Sequence, residues 1–499
     1  RPTRIDTGAH PGLAALAAGP RWRISGHKRL GYARRASPVA QLMRMRVTAF
    51  GGLGLGRPDT LEVSPSYFAQ MQQPLVRLRS HPDLPGAYSD LASFGLYLAR
   101  IVLNSHLWTL RRPDAPPQRV PQRLPGPLPG LPAPRVHTLD TGDGSGARLR
   151  LTVYPKPGAQ RAPVLMIHGY SASGTTFAHP ALPCSLAAYL WQRGAEPWVL
   201  DLRSSCGMPT GRQPWAFEDM AEHDIPVALD FVCRATGRSR VDVVSHCMGS
   251  AMLAMALLGP PESARTSCER VRRWVMTQVT PAPVFAPGNL LRAYLMQYAL
   301  NLLPRLRYDI CGAGHAAAPA GPGADAFDRL LGALPYLGEG SDSEFDRENP
   351  PWRFWRRTPW VRTRHRLDAL FGRVFDARRL APRTLAHLDD LFGDISLATV
   401  SQTIHIARNG FVSNRAGNAE PYRAHLERLA ALPMLSLHAR DNGLADWEGA
   451  LHWLDQFGLR TPMPKQLRTL MVERCGHQDL LIGRDAAAVF EHIDAFLRD

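Results

Sequence analysis

The stretch VDVVSHCMGSAM, residues 241–252, decides the fold. Three β-branched valines, Val241, Val243 and Val244, read as a strand, and the small apolar residues from Met248 onward read as a helix. Between them lies a turn shaped like the G-x-S-x-G nucleophile elbow, in which strain and close packing call for small neighbours. Cys247 stands where that motif has serine. Gly249 keeps its place two residues on, and Ser245 replaces the leading glycine. The elbow puts the sulfur at a helix N-terminus, whose partial positive charge is expected to lower the thiol below the ~8.5 of a free cysteine.

Working outward, strands and helices alternate. Residues 135–142 and 147–155, joined through a turn at Gly142-Asp143-Gly144, read as a hairpin. The apolar runs at 162–169 and 196–204 read as strands buried on both faces, and those at 272–280, 432–440 and 467–475 as further strands. The pattern is α/β: a mostly parallel central sheet covered on both faces by helices. Residues of about 283–431 are too many for a connector and predict a large helical cap inserted into the sheet domain. Upstream, residues 1–40 read as a poorly ordered basic segment and 41–112 as a small piece with strands and a helix. The proline-rich 113–134 reads as a linker, and 135–499 as the sheet domain.

A nucleophile after the central strand needs a base after the last one and an acid in between. His477, in the string RCGHQD, follows the last strand. The loop at 281–289 after the preceding candidate strand has no carboxylate, which leaves Asp441 as the acid and Asp446 as the runner-up. Met248 and Tyr170 are the expected oxyanion donors through their backbone N–H groups. His168 and Gly169 are expected to brace that loop. His246, next to Cys247 on a strand, points to the other face and is set aside as a base, as are His405 and His438.

At these residues a family resemblance becomes visible. The strings LMIHGYSASGTTF at 165–177, FEDMAEHDIP at 217–226 and SHCMGS at 245–250, the block at 438–454 and GHQDLLIG at 476–483 resemble, in order, the blocks of the acid lipases. The resemblance implies an α/β-hydrolase fold, a triad at Cys247, Asp441 and His477, and esterase or lipase activity. A nearer resemblance is to the C-terminal hydrolase domain fused to bacterial cholesterol oxidase-like proteins of the glucose-methanol-choline flavoenzyme family. It extends to residues 61–78 and 91–108. It implies a flavin oxidoreductase as partner or upstream domain. This chain itself carries no flavin-binding fingerprint, and no cofactor is expected.

Composition narrows the rest. The 499 residues carry a net charge of +16, but lysine occurs only at Lys28, Lys156 and Lys465. The arginine excess therefore reads as compositional bias, and no nucleic-acid motif accompanies it. Seven cysteines without ligand spacing predict reduced thiols, no metal site and a cytoplasmic setting. No leader pattern follows Arg1, so no secretion signal is expected. Trp352, Trp355 and Trp360, interleaved with Arg353, Arg356 and Arg357, suggest peripheral membrane contact. The expected reaction is cleavage of a lipophilic ester, lipid or sterol, through an acyl-thioester. The alternatives are an acyltransferase of the polyhydroxyalkanoate-synthase type and a catalytically degenerate domain serving an oxidase.

Overall fold

A computed structural model describes residues 120–286 and, with gaps chiefly at 455–466, residues 374–498. It also describes Asn289, Leu367, Phe371 and four short upstream strands. The chain divides into two units, Arg1–Val102 and Leu103–Asp499. In the first, strand Arg44–Gly51 pairs antiparallel with Arg23–His27, with Gly54–Leu55 and with Asp59–Glu62. The strand at 23–27 falls inside the segment read as poorly ordered, because "RISGH" shows no alternation to announce it. The expected helix at 90–110, the tryptophan-arginine run and most of the cap lie outside the described residues.

The second unit is built on eight strands: β1 (Arg135–Asp140), β2 (Arg148–Val153), β3 (Val164–Ile167), β4 (Pro197–Asp201), β5 (Val241–His246), β6 (Val271–Thr277), β7 (Met434–Ala439) and β8 (Leu467–Val472). Their spatial order is β8-β7-β6-β5-β3-β4-β2-β1. The first hairpin and the β2–β4 pair are antiparallel, and every other pairing is parallel. This is the α/β-hydrolase fold, as expected.

The strand sequences explain the layering. Successive side chains point to opposite faces, so Val164 and Met166 join one hydrophobic cluster while Leu165 and Ile167 join the other. Val243 and Val244 split the same way. Both clusters are apolar because helices cover both faces. Helices α1 (Leu186–Gln192) and α6 (Ala486–Arg498) pack together on one of them, while α2 (Ile225–Thr236), α3 (Met248–Leu258) and α4 (Pro261–Arg270) lie with the other. All of α3 is buried, which explains why its sequence shows no polar stripe.

The described part of the expected linker is docked rather than free. Gln122 N–H donates to Asp390 Oδ1 at 2.8 Å, the Tyr154 hydroxyl donates to Gly126 O at 2.7 Å, and Leu128 is buried. Proline suits this role because it holds the segment extended and leaves few backbone N–H groups that need a partner.

In the cap interval, residues Val284–Phe285 pair antiparallel with Ala445–Asp446, and α5 (Leu397–Asn409) follows farther along. The string FEDMAEHDIP at 217–226 ties this interval to the sheet domain. Glu218 accepts hydrogen bonds from Arg415 N–H at 2.6 Å and from the Gln402 amide, while Asp219 pairs with the Arg415 guanidinium at 2.9 Å. Asp224 of the same string is buried against Arg203, which also reaches Asp143 at 2.6 Å. The string is therefore structural, which its position on a helix does not reveal.

Candidate active site

The β3 and β5 ends open toward one point because β4 lies on one side of β3 and β5 on the other; open α/β sheets hold their sites at such a switch. Cys247 leaves β5 with φ +54° and ψ −130°, a conformation that costs a non-glycine residue ~1–3 kcal/mol. Crowding fixes it. A Cβ on Gly249 would lie 2.5 Å from His168 O, and a Cβ on Gly169 would lie 2.7 Å from the Cys247 Cβ. Both glycines are needed for the two strand ends to approach this closely. Ser245, in contrast, faces a buried polar cluster. Its hydroxyl accepts from Trp274 Nε1 at 2.8 Å and shares a 2.8 Å bond with Ser250, so it is no second nucleophile.

The expected oxyanion donors converge on the sulfur: the backbone N–H groups of Met248 and Tyr170 both hydrogen-bond to Cys247. The loop carrying Tyr170 is locked from two sides. His168 bonds Gly169 O through Nδ1 at 2.7 Å and accepts from Leu202 N–H through Nε2 at 3.3 Å. Ser171, at φ +57°, donates its hydroxyl to Gly393 O at 2.7 Å. That second anchor, from a residue 222 positions away, has no local signal.

The expected lowering of the thiol pKa does not occur. Burial pushes Cys247 up to about 11, against the two N–H groups that favour its anion. Burial outweighs a helix end here because desolvation acts on the full charge, while the dipole offers only part of one.

His477 is fully buried, and burial together with the neighbouring His246 imidazole holds it well below the ordinary histidine range. The two rings lie 5.1 Å apart, centroid to centroid. His246 is itself pushed down to about 3 by burial and bonds Thr277 Oγ1 at 2.7 Å through Nδ1. Burial thus works against the charged form of both the thiol and the imidazole.

The acid expected at Asp441 is not at the histidine. His477 Nδ1 meets Asn442 Oδ1 at 3.1 Å instead. Asp441 N–H bonds Cys475 O, and Asp446 caps Glu448 N–H at 3.0 Å. The reason is register. Arg440 and Asp441 still bond β8 and the residues after it through their backbones, so the chain first turns toward His477 at Asn442. The assignment of the carboxamide oxygen is fixed by its neighbours: Leu444 N–H and Ala445 N–H donate to it at 2.9 and 3.1 Å. An acceptor at Nδ1 means that the His477 proton sits there and that Nε2 carries the lone pair. Among the described residues, Nε2 has no hydrogen-bond partner.

Cys247, Met248, Tyr170 and His477 all line one cavity of about 940 Å³, part of it open to solvent. Its other walls include Val279, Phe285, Phe371, Phe392 and Ile404, and no lysine, arginine, aspartate or glutamate is among the described lining residues. No cluster able to hold a metal and no helix long and apolar enough to cross a membrane occurs among the described residues.

The alpha/beta hydrolase fold family matches residues 162–302. Bovine gastric triacylglycerol lipase is 28% identical over 148 residues, 27% of this chain and 37% of that protein. Sterol esterase 2 of Saccharomyces cerevisiae is 25% identical over 144 residues, 26% of each. The chain thus matches well under half the length of these curated relatives. Among solved structures, a soluble variant of Saccharomyces cerevisiae monoglyceride lipase aligns over 75% of this chain and 98% of its own, at 15% identity and a TM-score of 0.43.

Proposed function

We propose that this chain is a lipase- or esterase-type hydrolase of lipophilic carboxylic esters that works through Cys247, with His477 as the base and Asn442 as its orienting partner. One observation carries the reading: Cys247, whose sulfur accepts from two backbone N–H groups, and His477, whose buried Nε2 has no hydrogen-bond partner among the described residues, line the same apolar cavity. The similarity to gastric lipase and sterol esterase sequences supports an apolar ester as the substrate class.

His477 Nε2 takes the Cys247 proton as the sulfur attacks the ester carbonyl carbon. The carbonyl oxygen becomes an oxyanion held by the Met248 and Tyr170 N–H groups. Collapse breaks the C–O bond, and the imidazolium returns the proton to the departing alkoxide. Water, deprotonated by the same nitrogen, then releases the acyl group from sulfur as a carboxylic acid and restores the thiol. A thiol is more acidic than a serine hydroxyl, so it demands less of its base. That matches an imidazole oriented by a neutral amide, which fixes the tautomer without stabilising the imidazolium by charge.

Residues of about 283–431 act in this reading as the cap over the cavity, since Val400, Thr403 and Ile404 of α5 line it. The burial of the attacking pair gives a specific ground for a second reading, acyl transfer to an alcohol or thiol, because a water-poor cavity slows thioester hydrolysis. Association with a cholesterol oxidase-like flavoenzyme, and membrane contact through Trp352, Trp355 and Trp360, belong to the same proposal.

The test is p-nitrophenyl ester turnover together with mass spectrometry of the acylated protein. An acyl adduct on Cys247, and loss of turnover in Cys247→Ala, are the expected results. Steady hydrolysis marks the esterase, and a burst relieved by an added alcohol marks the transferase. Unchanged turnover in Cys247→Ala would refute the cysteine mechanism. No adduct and no turnover would leave the degenerate partner domain.

A further inference from the structure

We infer that Gln278 is a positioning residue whose single side chain holds His477 and Asn442 in register with each other. It follows β6 directly and is 1% exposed. Its amide nitrogen donates to His477 O at 2.8 Å and to Gly476 O at 3.2 Å. Its amide oxygen accepts from Asn442 Nδ2 at 2.9 Å and from Ala439 N–H at 3.0 Å. These four bonds use the two donors and two acceptor sites that a carboxamide has. One side chain therefore joins the loop after β8, which carries the base, to the loop after β7, which carries the base's partner.

The backbone supports a purpose beyond filling space. Gln278 has φ +73°, in the region that disfavours side chains, and its N–H bonds Leu437 O at 2.7 Å. Ser171 and Cys247 share that unusual region, and both line the cavity. Strain at a buried residue persists only where its surroundings over-determine it, and it gathers at sites that need fixed geometry. Only glutamine matches the pattern of partners. Glutamate would set acceptors against the Gly476 and His477 carbonyls, and methionine would leave four polar groups unpaired.

The inference rests on the proposed roles of Cys247 and His477, so its test has a readout independent of turnover. Nitrogen-15 NMR of histidine-labelled protein, with His477 assigned by its absence in His477→Gln, reports the tautomer. The wild type is expected to show one Nδ1–H form. Gln278→Met, folded by circular dichroism, is expected to show mixed tautomers and a ~10- to 100-fold lower kcat with little change in KM, the scale of a misplaced reacting group. Gln278→Glu is the second variant. It is expected to lose the single tautomer and to regain kcat as falling pH protonates its carboxyl into a donor.

A folded variant that keeps the wild-type His477 signal and a kcat within twofold would overturn the inference. Failure of both variants to fold would assign Gln278 to stability alone and overturn it too. Full turnover in Cys247→Ala or His477→Ala would instead remove the catalytic reading. The tautomer measurement would still decide what Gln278 does.

Discussion

His477 Nδ1 and Asn442 Oδ1 face each other at 3.1 Å, so the partner that orients the imidazole is a neutral amide and not a carboxylate. The amide cannot offset the charge that forms on the ring when it takes a proton. It can only hold one tautomer and one orientation.

Adding that charge should be measurable. In Asn442→Asp, a carboxylate beside the ring favours imidazolium, so the His477 pKa is expected to rise. Histidine NMR titration checks it, and an unchanged or lower value would contradict this account of the pair. Asn442→Ala, which removes the orienting acceptor, is expected to lower kcat ~10- to 100-fold, read from ester turnover.

The thiol should behave as a buried, weakly acidic one. Burial disfavours the anion and raises the pKa to about 11, so the thiolate fraction is small at neutral pH and grows with pH. Iodoacetamide modification of Cys247 is expected to quicken about tenfold per pH unit from pH 7 to 10 and to level off near pH 11. A plateau by pH 7 would mean that a thiolate–imidazolium pair already exists.

The elbow tolerates no side chain at Gly249. Gly249→Ala sets a methyl 2.5 Å from His168 O, so either the backbone or the loop bearing the oxyanion donors must move. A loss of ~1–3 kcal/mol in stability is expected, together with reduced turnover. Chemical denaturation and ester assays read the two effects.

The buried Arg203 should matter for folding and not for chemistry. It pairs with Asp224 and Asp143 away from the cavity, and removing Asp224, the fully buried partner, leaves the guanidinium only partly compensated by Asp143. Asp224→Ala is expected to cost ~3–5 kcal/mol, read from the denaturant midpoint, with KM of the folded fraction unchanged.

The elements differ in how far the sequence reveals them. β5 and α3 are legible because a β-branched run followed by small apolar residues has few other structural readings. The hairpin at β1 and β2 is legible from its Gly-Asp-Gly turn. Cys247, His477, Met248 and Tyr170 are legible from their positions after strands. Asn442 escapes by one residue, because an acid is sought by type in a loop whose register depends on backbone bonds to the neighbouring strand. Gln278 escapes because a polar residue after a strand looks like any loop residue. The docked stretch at 120–134 reads as free because proline content reports backbone conformation and not what the chain lies against.

The sequence by itself determined the order of strands and helices, the elbow and the residues that close around it, since these follow from local periodicity and from where small side chains are tolerated. Only the tertiary structure decided which side chain meets the imidazole, and that burial works against the charged forms of thiol and histidine. Both depend on distances and on exclusion of water across loops far apart in the chain, and no local pattern encodes either.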